Sequence, residues 1–68
     1  MPTATTKLSA KDVKTEASKL GLTWSAITGL VVQRFEDGSA LIVVAEGDHA
    51  DARKLLDHLV TSGMADRA

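Results

Sequence analysis

"KLGLTWSAITGLVV", residues 19–32, is the stretch on which the fold turns, because after Gly21 the chain either enters a second helix or runs out as a strand. The preceding "LSAKDVKTEASKLGL" carries a complete set of helix signals. Ser9 is placed to cap the first turn, with Asp12 at N3 and Leu8 able to staple onto Val13. Ala10, Val13, Ala17 and Leu20 fall on one stripe. Gly21 supplies the left-handed position that ends a helix, and Leu22 can close over Ala17 in a Schellman arrangement. Beyond that point Ile27 to Val32 is rich in β-branched residues, Gly29 interrupts any helix, and a strand over 28–35 is expected.

The next segment supports that choice. "LVVQRFEDGSALIVVAE" places β-branched and aromatic residues on both sides of Asp37-Gly38, a pair suited to the positive φ angles of a tight hairpin turn. The second strand is expected over 40–46. Two registers fit. A two-residue turn places Phe35 opposite Ala40, and a three-residue loop with Gly38 at the bulge places it opposite Ser39. Leu30, Val32, Leu41 and Val43 are read as one alternating set, and Val31, Phe35, Ile42 and Val44 as the other, so both faces of the hairpin are apolar. A second helix follows over 48–62, with Asp48 as N-cap, Asp51 at N3, Ala52, Leu55, Leu56 and Leu59 facing inward, and Gly63 as the stop. Arg53 and Asp57 are spaced to pair along it.

The expectation is an α+β fold: a compact α-β-β-α module around a central antiparallel hairpin, with dimerisation able to complete a larger sheet. Residues 1–6, without an apolar period, read as a flexible tail; 7–63 form a single domain; 64–68 read as a frayed end. A chain of 68 residues buries only about 60% of its unfolded surface, which favours supplementing a small core through a partner.

Composition narrows the function. Cysteine is absent, which excludes thiol catalysis, disulfides and cysteine-based zinc sites. "MPTATTKLSA" has no apolar signal region and "ALIVVA" is far too short to span a bilayer, so a cytoplasmic protein without a membrane role is expected. His49 and His58 do not share ligand spacing, and Glu46, Asp48 and Asp51 read as charges complementing the start of a helix. No serine has an evident base, so no catalytic, cofactor or metal residue is named, and an enzyme enters only as a third option whose site is not visible in the sequence.

Two binding readings remain. In the first, the module self-associates or docks a protein partner, with Trp24, Val32, Ile42 and Val44 as interface residues. In the second, "VKTEASKLGLTWSAITGLV", residues 13–31, resembles the helix-turn-helix family of DNA-binding modules, with Ala17 in the first helix, Gly21 in the turn, and Ile27 and Leu30 facing inward. That resemblance implies that Thr23, Ser25 and Thr28 face a groove and that the hairpin serves as a wing. The chain's basic residues lean to its first half, where five basic side chains meet two acidic ones, against three and seven in the second half. Lys11, Lys14, Lys19 and Arg34 are the candidate nucleic-acid contacts, although residues 22–33 hold no lysine or arginine to grip phosphate.

Overall fold

Local signals fix the first helix at both ends. In the computed structural model, which describes residues 2–67, α1 spans Ala10–Lys19. Ser9 Oγ accepts the Asp12 backbone N–H at 3.2 Å, satisfying one amide that the helix leaves unpaired. At the other end Gly21 has φ +78°, and the N–H groups of Gly21 and Leu22 donate to the carbonyls of Ser18 and Ala17, both at 3.0 Å. This is the Schellman pattern that the Gly21-Leu22 pair implies. Val13 and Ala17 point inward as the stripe requires, whereas Ala10 is exposed and the buried face also includes Glu16.

After Gly21 the chain makes neither a second α-helix nor an immediate strand. Trp24–Ala26 forms one 3-10 turn, Ile27 is already extended at φ −73° and ψ 121°, and β2 begins at Leu30 and ends at Arg34. Gly29 turns the chain into that strand at φ +74°. β3, Ala40–Val44, pairs with β2 so that Leu30 lies opposite Val44 and Arg34 opposite Ala40. The Phe35 N–H donates to the Ser39 carbonyl at 2.9 Å, and Gly38 is left-handed at φ +88°. The three-residue loop is therefore the one that forms. Its register regroups the strand residues: Leu30 and Val32 share a face with Ile42 and Val44, and Val31 and Phe35 share the other with Leu41 and Val43.

α2 spans Ala50–Thr61 and buries Ala52, Leu55, Leu56 and Leu59, the four residues its periodicity selects. Its N-cap is His49 rather than Asp48, and no side chain caps the first turn. Asp57 pairs with Arg67 at 3.0 Å instead of Arg53, whose guanidinium donates to the Gly47 carbonyl. A second Schellman turn closes the helix, with Gly63 at φ +79° and the Met64 N–H donating to the Leu59 carbonyl at 2.9 Å.

Both expected loose ends are strands. Thr3–Thr6 forms β1, which lies between β3 and β4, pairing Ala4 with Ile42 and Thr6 with Ala40 on one side. Ala65–Arg67 forms β4, pairing Thr6 with Ala65 on the other. The outermost residues of the two segments, Met1 and Ala68, lie outside the described residues. The sheet is antiparallel throughout in the order β2-β3-β1-β4, so the chain comprises two interleaved split β-α-β units. α2 lies against β1, β3 and β4, and α1 packs on α2 and on the 3-10 turn. Both helices thus cover one face of the sheet, where Ala4, Ala40, Ile42, Val44 and Ala65 are buried with the helix residues. Thr6 is also buried there; its hydroxyl donates to the Met64 carbonyl at 2.7 Å and accepts the Leu8 N–H at 3.2 Å.

Candidate interaction surface

Alternation along a strand sends neighbouring side chains to opposite faces, so the buried set defines the open one. With Ile42 and Val44 under the helices, Val31, Leu41, Val43 and the adjoining Phe35 point away from them. Val31 is 56% exposed and Phe35 44%, the two exposed large apolar side chains among the described residues. Leu41 and Val43, one strand further in, are half-buried. β1 and β4 continue this face with Thr3, Thr5 and Asp66, so an apolar half on the hairpin adjoins a polar half. A cavity of about 470 Å³ lies at the polar end, lined by Thr5, Thr6, Lys7, Ser39, Met64 and Asp66 together with Gly63.

The expected interface residues fall elsewhere. Ile42 and Val44 have 1% and 0% exposure and belong to the core, on the face that the helices cover. Val32 shares their face and is half-buried against the same core. Trp24 sits on the 3-10 turn, half-buried against the core, with Lys14 Nζ 5.9 Å from its ring centroid. None of the four lies on the open face. The residues that do are visible in the sequence as apolar alternation, but the loop length decides how the two strands' sets combine and helix packing decides which combined set is covered.

The candidate nucleic-acid residues are dispersed in role. Lys11, Lys14 and Lys19 stand on α1 and Arg34 at the end of β2. Lys19 Nζ pairs with Glu16 Oε2 at 2.8 Å, and Lys14 rests over the indole.

Two polar clusters lie outside the open face. Glu16 is 6% exposed, and its second carboxylate oxygen lies 3.1 Å from His58 Nε2 on α2. The hydrogen bond from Lys19, and after it that with His58, holds the Glu16 carboxyl below its ordinary range. This cluster fastens α1 to α2. Near the start of α2, His49 Nδ1 and Thr28 Oγ1 are 3.1 Å apart beside a polar depression of about 240 Å³ lined also by Asp48 and Asp51. Among the described residues, no three His, Asp or Glu side chains converge as a metal site would require.

Comparisons with protein-family models, curated proteins and solved structures find no match.

Proposed function

We propose that this chain is a non-enzymatic protein-interaction module that self-associates through the hairpin side of its sheet, where the open face is apolar. The observation that carries the reading is the group Val31, Leu41, Val43 and Phe35 on the face opposite the helices, with its two outer members 56% and 44% exposed. An antiparallel sheet tolerates one wet face when that face is polar, and among the hairpin strand residues on this half only Gln33, between Val31 and Phe35, is polar. Contiguous apolar surface of this kind marks association sites, and a domain this small gains most from additional burial.

Sedimentation velocity over a concentration series tests the proposal directly. The unmodified protein should move from monomer toward dimer as concentration rises. Val31→Lys adds a charge of the kind that protects natural strand edges, at a position the fold leaves exposed, so it should remain folded by circular dichroism and sediment as a monomer. An unmodified protein that stays monomeric throughout the series overturns self-association.

A further inference from the structure

We infer that the partner is a second copy of this chain, joined edge to edge through β2 about a two-fold axis at Val32, so that two four-stranded sheets become one continuous sheet. This rests on the self-association proposed above and adds the seam and its register.

The backbone indicates which groups are available. The Phe35 N–H donates to the Ser39 carbonyl and the Ala45 N–H to the Gly29 carbonyl, so odd-numbered residues of this strand direct their amides and carbonyls toward β3. By antiparallel alternation, the amides and carbonyls of Leu30, Val32 and Arg34 point out from the sheet. β2 is an outermost strand, as is β4, and the two edges are built differently. β4 has three residues, two of them the charged Asp66 and Arg67, and Arg67 is tied to Asp57. β2 has five residues, and its single charge, Arg34, stands at the end. Shortness and charge are the usual protections of an edge; β4 has both and β2 has neither along its middle.

Exposure points to the same strand. The two most exposed large apolar side chains, Val31 and Phe35, belong to β2 and the residue that follows it, whereas Leu41 and Val43 are already half covered. A face-to-face sandwich would centre its contacts on β3 and β1. An edge seam through β2 instead takes Val31 into the overlap and brings Phe35 to its rim.

An edge pairs with a copy of itself by closing a two-fold. Full overlap of β2 places Val32 opposite the partner's Val32, Leu30 opposite the partner's Arg34 and Val31 opposite the partner's Gln33, making about six new backbone hydrogen bonds. The two arginines are then separated by about 14 Å along the strands, so like charges do not meet. On the open face Val31 comes diagonal to the partner's Val31 and the partner's Phe35, at about 7–8 Å between backbones, within reach of an aromatic ring.

The absence of native cysteine makes this register directly testable. Val31→Cys and Gln33→Cys chains are prepared separately, then oxidised gently alone and as an equimolar mixture. Facing residues lie within disulfide reach and diagonal ones do not, so the mixture should yield a covalent heterodimer and each chain alone at least about tenfold less covalent dimer. In the unmodified protein, amide exchange at Leu30, Val32 and Arg34 should slow as concentration rises. Unmodified protein that dimerises without either signature overturns the β2 seam and leaves self-association standing. A strictly monomeric protein overturns both.

Discussion

Gly29 holds φ +74°, and a Cβ added there would run into the imidazole of His49. Two separate costs follow from one substitution. The left-handed backbone disfavours any L side chain, and the ring occupies the space the new methyl needs. Gly29→Ala should therefore destabilise the fold by about 1–3 kcal/mol in denaturant titrations. Adding His49→Ala should return part of that loss, because only the backbone cost remains; strictly additive effects would show that the ring is not the obstacle. Gly38, at φ +88° with open space around it, bears the first cost alone, so Gly38→Ala should cost about 1 kcal/mol. Glu16 permits a different prediction at this scale. Its carboxyl is held below the ordinary value of 4.5 by Lys19 and then His58, so the charged form stabilises the fold above that value and the contribution is lost as pH falls below it. Glu16→Gln retains the shape and removes the titration. Melting temperatures of the parent should consequently fall more steeply than those of Glu16→Gln as pH drops below 4.5, and parallel profiles would contradict the assignment.

Among the elements, those with local signals were legible and those without were not. Ser9, Gly21 and Gly63 announce helix boundaries through side-chain and backbone chemistry that acts within a few residues, and the structure places each in that role. The start of α2 was less legible because Asp48 and His49 are adjacent and only tertiary packing, with the imidazole lying against Gly29, brings His49 to the cap. β1 was missed for a physical reason. "TATT" has no large apolar residue and cannot advertise a buried face, yet Ala4 is buried by its position between Ile42 and Arg67 on neighbouring strands. β4 is shorter still, and its existence depends on β1. The candidate surface was half legible: the apolar alternation named the right strands, but two loop lengths combine their residues differently, and which combined set is covered depends on tertiary packing of the helices. Because β1 supplies the pairing partner of both β3 and β4, removing residues 2–6 should abolish the cooperative fold rather than trim a tail. Circular dichroism and proton NMR dispersion of the truncated chain measure this, and retention of a native-like spectrum would show that the hairpin and helices suffice.

At the scale of the whole molecule, the distribution of charge sets the self-association reading against the nucleic-acid one. The formal net charge is −1, so attraction to a polyanion would have to come from a local patch. The candidate contacts are Lys11, Lys14, Lys19 and Arg34, of which Lys19 is paired with Glu16 and Lys14 sits over Trp24. Where the resemblance to helix-turn-helix modules would need a recognition helix, residues 24–26 make a single 3-10 turn and β2 follows. Binding that engaged all four cations would release counterions with a log-log salt slope of about −3.6, whereas two free cations give about −1.8. Fluorescence anisotropy with unrelated DNA and RNA duplexes at about 50 and 200 mM salt separates these cases. The expected result is weak binding without sequence preference, with a slope no steeper than the second value and shallower still in Lys11→Ala. Tight binding with the steeper slope, lost on substituting Lys11 and Lys14, would instead make α1 a phosphate-positioning surface and give the open sheet face no part in recognition.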